Sequence, residues 1–118
     1  MTNKSSIRKR ELAEALNKKY EQYLPDIGQG LVEWLFTEHY SRPGLDIKTR
    51  KIISVAVLAA LGDQTKPQLR LNISDALEAG ASKEELAEAI WQIGIYAGMP
   101  AAINGLNTAL QVFNEAAS

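Results

Sequence analysis

Chemistry in this chain must be done with few kinds of side chain. There is no cysteine, which excludes thiol nucleophiles, disulfides, zinc–thiolate sites and iron–sulfur clusters. The single histidine, His39, leaves no His-rich metal site and no helical His pair, but it is one group able to transfer a proton near neutral pH. Arg42 and Arg50 carry planar guanidinium forks that match a carboxylate. Each has a plainer reading as well. His39 beside Tyr40 reads as a helix-end packing residue, Arg42 before a Pro-Gly turn as a surface or locally paired cation, and Arg50 as an exposed residue of a helix's second turn. With no cysteine and one histidine, no metal site is expected.

The frame that must position these groups is small. The 118 residues, 46% of them hydrophobic, make one domain with one real core. A formal net charge of −1 gives no global attraction to nucleic acid or to an anionic membrane. Residues 1–23 hold six basic and three acidic side chains, a mild excess that suits a solvated amphipathic helix better than a nucleic-acid arm. The N-terminus is polar and basic with no apolar stretch of a signal peptide. The longest apolar run, Val55 to Leu61, is far short of the roughly 20 residues a membrane span needs. A cytoplasmic protein is expected.

Periodicity then gives helices and no compelling strand. Ile7, Leu12, Ala15, Leu16 and Tyr20 recur at helical spacing, with Ser5 or Ser6 as a cap and Pro25 beyond the end. Asp26 to Gly30 reads as a turn, and Leu31 begins a short apolar helix towards Tyr40. Ser41-Arg42-Pro43-Gly44 breaks the chain. Asp46 is a good N-cap for a helix from about Ile47 to Leu61 whose first half is basic and whose second half is apolar all round. Such a helix is expected to be buried on every side, within one subunit or at a subunit contact. Asp63 to Lys66 reads as a loop. Pro67 suits the first turn of the next helix, which Gly80 ends. Ser82 with Glu85 fits a capping box. Gly94 costs the following helix about 1 kcal/mol against alanine, which a close helix crossing would offset. Gly98-Met99-Pro100 breaks again, and Ile103, Leu106, Leu110 and Phe113 mark the packed face of the last helix. This predicts an all-α bundle of about six helices. Trp34, Phe36 and Trp91 read as core or interface rather than as a ligand box.

Three segments of the chain resemble a known pattern. They are Ser41-Arg42-Pro43-Gly44-Leu45-Asp46 followed by Thr49-Arg50, Gly80-Ala81-Ser82 with Glu84-Glu85, and Tyr96-Ala97-Gly98-Met99-Pro100-Ala101-Ala102. In this order and spacing they resemble the carboxymuconolactone decarboxylase family of the alkylhydroperoxidase-D-like superfamily. The resemblance spans residues 28–116, leaving 1–27 as an N-terminal helical arm of a single 1–118 domain. It implies an all-helical subunit that assembles into a homo-oligomer, a trimer or hexamer, and one of two chemistries. The peroxidase branch uses a Cys-x-x-Cys pair followed four residues later by histidine. Those cysteine positions fall near Thr65 and Gln68, so that branch is closed. Its Arg-Glu pair aligns with Arg50-Lys51, so its relay glutamate is absent too. The decarboxylase branch keeps the histidine in a His-x-x-x-Ala-x-x-x-Gly frame, which here reads Asn72-x-x-x-Ala76-x-x-x-Gly80.

The resemblance therefore implies a cofactor-free lyase on a small carboxylated lactone or related acid. Such a reaction must hold the leaving carboxylate, stabilise the electron-rich product of its loss and deliver a proton to carbon. Arg42 and Arg50 are the candidates for holding the carboxylate. Asn72, whose amide donates and accepts hydrogen bonds without transferring protons, is the candidate for the lactone oxygen. His39 or Tyr96 is the candidate proton donor. The alternative is a family member without the ancestral catalysis, a ligand-binding or structural oligomer. Asn72 then reads as a minor polar group and Tyr96 as packing. Neither reading involves nucleic acid or a membrane.

Overall fold

The structure, a computed structural model, describes residues 4–117, with side chains over residues 9–115. Six α-helices account for most of it, and no strand occurs among the described residues. The chain divides between Gly44 and Leu45 into two compact units.

The first unit holds α1 (Lys4–Tyr20), α2 (Ile27–Val32) and a π-helical segment, Glu33–His39. The backbone is helical through Ser5 and Ser6, and the capping expected of their side chains lies outside the described residues. The turn expected over Asp26–Gly30 lies earlier, over residues 21–26, and closes at Asp26. That residue adopts a left-handed φ of 61°, and its N–H donates to the Glu21 carboxylate at 3.2 Å. Helix begins one residue later, and the Gly28 N–H donates to Asn17 Oδ1 at 2.8 Å, tying α2 to α1. Beyond Val32 the helix widens, and the Tyr40 N–H bonds the Leu35 carbonyl five residues back at 2.8 Å. That closure lets side chains five apart meet. Trp34 and His39 stand edge to face with ring centres 4.3 Å apart.

The second unit carries the core. Asp46 caps α3 (Ile47–Ala60), accepting from the Thr49 N–H at 2.7 Å. The expected loop after it is one 3₁₀ turn, Asp63–Thr65, because the Thr65 hydroxyl bonds back to the Leu58 carbonyl at 2.6 Å and folds the chain at once into α4 (Lys66–Glu78). Gly80, at φ 103°, closes α4. The N–H of Ala81 returns to Ala76 O at 2.9 Å and that of Gly80 to Leu77 O at 3.1 Å, a Schellman ending. Ser82 and Glu85 form the expected capping box on α5 (Lys83–Ala97). Gly98 then separates α5 from α6 (Met99–Ala117).

Val55, Ile73, Leu86 and Ile90 are fully buried at the centre, with Ala59, Ala76 and Ala109 letting the helices approach. The crossing that Gly94 implied is present, since a Cβ there would strike the Met99 side chain and lie 3.2 Å from Ala102 Cβ. One expectation holds only in part. The second half of α3 is apolar all round but is not buried all round in a single chain, since Val57 and Leu61 are 52% and 55% exposed. Three helices pack on its other sides and leave that face uncovered. No helix among the described residues is long and apolar enough to cross a membrane.

Candidate functional site

The five residues singled out from the sequence fall in both units. His39 ends the π-helical segment, exposed, with its ring against Trp34. Arg42 lies exposed in the turn just after it, its N–H donating to the His39 carbonyl at 3.2 Å. Arg50, Asn72 and Tyr96 belong to the second unit. Tyr96, on the last turn of α5, is 94% exposed, so its phenol stands in solvent in the single chain.

Asn72 is set by its helix. Leu69, Ile73 and Ala76 are the buried side of α4, and Asn72 sits beside them, part-buried. Its Nδ2 donates to the carbonyl of Gln68, one turn earlier, at 2.9 Å. This bond uses one of the two amide N–H donors and restrains the orientation of the amide. Arg50 is anchored too. Its Nε donates to the Leu45 carbonyl at 3.2 Å, which ties the guanidinium to the corner where the second unit begins.

The sequence reading missed a pair on these same two helices. Lys51, at 7% exposure, is buried, and its Nζ stands 3.5 Å from Asp75 Oδ2. Asp75 follows Asn72 by three residues, so the two share a side of α4. Lys51 precedes Val55 and Ala59 at spacings of four, and those two are core. A lysine in a core register, and an acid one turn from Asn72 on the neighbouring helix, were the signals available. The apolar second half of α3 drew the burial argument, and Lys51 was read as part of its basic first half and as the residue in place of the peroxidase branch's relay glutamate, not as a buried group.

The N-termini of α3 and α5 are braced by charge. The Thr49 hydroxyl and N–H hold the Asp46 carboxyl below the usual carboxylate range. Glu85 is also held low, first by the Ser82 N–H and then by Lys48, whose Nζ lies 3.1 Å away. Arg70 joins α4 to α6 through Glu115 at 2.5 and 2.7 Å and Gln111 at 3.0 Å. Among the described residues no group of three or more His, Asp or Glu is placed to hold a metal ion.

Residues 25–111 match the model of the carboxymuconolactone decarboxylase family. An uncharacterized 15.0 kDa protein from the nqo9–nqo10 intergenic region of Paracoccus denitrificans is 34% identical over 113 residues, covering 89% of this chain and 84% of that protein. A 4-carboxymuconolactone decarboxylase of Acinetobacter baylyi is 38% identical over 78 residues, 66% of this chain and 57% of the relative. The nitrosuccinic acid decarboxylase npaB of Metarhizium robertsii is 28% identical over 89 residues, 75% of this chain and 61% of the relative. The chain thus spans less than two thirds of the length of both relatives that carry an activity in their names.

Proposed function

The chain belongs to the carboxymuconolactone decarboxylase family, and from that premise we propose that it is a cofactor-free decarboxylase of a small carboxylated lactone or a related acid, working in the cytoplasm as a homo-oligomer, a trimer or hexamer. Two similar proteins are named as decarboxylases of two different acids, which supports the reaction type more than any one substrate. The observation that carries the reading is the placement of Asn72. In the frame that the resemblance gives, it stands where the family has its histidine, beside the buried residues of α4, with one amide N–H donated to the Gln68 carbonyl and the second N–H proposed to donate to the lactone oxygen. Arg50 remains the proposed carboxylate-holding residue of this unit.

The assembly part of the proposal has its own support. Ile53, Val57 and Leu61 form an exposed stripe on α3, and Trp91, Ile95, Met99, Ile103 and Leu110 are exposed on α5 and α6. Apolar side chains exposed at this helical spacing support the reading of a contact between subunits.

The purified protein is tested with 4-carboxymuconolactone, following loss of substrate and release of carbon dioxide, beside Asn72→Ala and Asn72→His. The reading predicts wild-type turnover and its loss in Asn72→Ala with assembly intact. Activity in Asn72→His alone, or in none of the three, supports the second reading, a ligand-binding or structural oligomer that has lost the proton-transfer group. The absence of histidine at position 72 is the observation that favours it.

A further inference from the structure

Two polar side chains are buried in the described structure, Thr108 and Lys51. Thr108 is accounted for by its own helix, its hydroxyl donating to the Asn104 carbonyl at 3.1 Å. Lys51 is not. Its stem lies in the row of Val55 and Ala59, and its ammonium reaches across to a carboxylate on α4. Burying an ammonium is costly, and well-packed apolar side chains in place of such a pair are often as stable or more so. The 3.5 Å contact with Asp75 is also longer than the roughly 2.8 Å of a strong charge-assisted hydrogen bond. Stability alone therefore does not explain a lysine here.

Its location does point to a use. Asp75 lies one turn beyond Asn72 on the same side of α4, and Lys51 meets Asp75 from α3. The ammonium is thereby paired with a carboxylate that stands one turn along α4 from Asn72, where the resemblance sets the family's histidine. Asn72 accepts and donates hydrogen bonds but has no proton to give.

We propose that Lys51 is the proton donor of this site, supplying the cation and the transferable proton that Asn72 lacks, with Asp75 as the positioning residue that holds its Nζ. This rests on the decarboxylase reading above. In the step, the bond between the substrate's carbon and its carboxylate breaks, and carbon dioxide leaves as a neutral molecule. The electron pair stays on the substrate, where the ammonium stabilises it. An N–H bond of Lys51 then breaks as the new C–H bond forms, and the neutral amine regains one proton from water. Each turnover consumes one proton and needs no oxidant or reductant.

The test uses the full chain with 4-carboxymuconolactone, comparing wild type, Lys51→Met, Asp75→Asn and the double variant Lys51→Met/Asp75→Leu, which keeps an apolar, space-filling seam if either single change fails to fold. The expected result is a fall in kcat of about 100-fold or more on loss of Lys51, in the single and the double variant alike. Added methylamine partly restores turnover to Lys51→Met, a recovery that a purely structural role would not give. Asp75→Asn lowers kcat while KM stays near wild type. A folded Lys51→Met or double variant with wild-type kcat overturns the proposal and leaves the decarboxylase reading standing. A wild-type protein that releases no carbon dioxide overturns that reading, and the proposal with it.

Discussion

The two sides of α3 are inverted relative to an ordinary surface helix. The side against the core carries a buried lysine, Lys51, held to Asp75. The opposite side carries Ile53, Val57 and Leu61, each about half exposed. In a globular monomer, charge goes out and aliphatic side chains go in, because that order minimises the desolvation of charge and the exposure of apolar surface. A helix that reverses the order in both directions is shaped by more than the stability of one chain. The inner side holds an ion pair that is expensive to bury, for which we propose a role in chemistry. The outer side exposes a surface that water does not favour, for which we propose a role in assembly.

That comparison breaks first on the outer side. Val57→Asp places a charge in the apolar stripe, and the expected outcome is complete dissociation, read as a drop to single-chain mass in sedimentation, with the helical signal retained. A variant that keeps wild-type mass would mean the stripe is not the contact. On the inner side, Asp75→Leu removes the carboxylate 3.5 Å from Lys51 and should cost about 3 kcal/mol of unfolding free energy in urea. Lys51→Met combined with Asp75→Leu should return stability to within about 1 kcal/mol of wild type or above it, because the buried charge goes with its partner. If the double variant is as unstable as the single one, the pair is structural. Further along the same flank, Glu85 reaches Lys48 in the first turn of α3 while closing the capping box with Ser82. Ser82→Ala should lower stability by about 1 kcal/mol.

The smallest effect is with pH. The Asp46 and Glu85 carboxyls are both held below the ordinary carboxylate range. For groups depressed in the folded state, the stabilisation is full above their unfolded pKa values and fades as pH falls through the folded ones. The melting temperature should therefore slip only as the solution becomes more acid than ordinary carboxylate titration. In Asp46→Asn that acid-range slope should be shallower. Both groups lie at the surface, so the change is a minor part of the whole.

Much of this was written in local sequence. The helix count, the Asp46 cap, the Gly80 ending, the Ser82–Glu85 box and the close crossing at Gly94 each depend on residues within a turn or two of one another. Backbone geometry and short-range hydrogen bonds decide such features whatever lies beyond them. The family, too, was legible, since three motifs at fixed spacing resemble it and its model matches residues 25–111. The widened helix from Glu33 to His39 was not legible. A closure of five residues instead of four leaves no mark in an apolar pattern, and only the folded backbone shows that Trp34 meets His39. The exposure of Val57 and Leu61 likewise depends on which sides of α3 other helices cover. Above all, the pairing of Lys51 with Asp75 joins residues 24 positions apart on two helices. Periodicity places each residue on its own helix, but the register of α3 against α4 is set by how the Asp63–Thr65 turn folds the chain back. The sequence determined the helices and the family frame in which Asn72 is read; the packing of two helices decided that Lys51 meets Asp75, because long-range proximity follows from register and burial, not from local spacing.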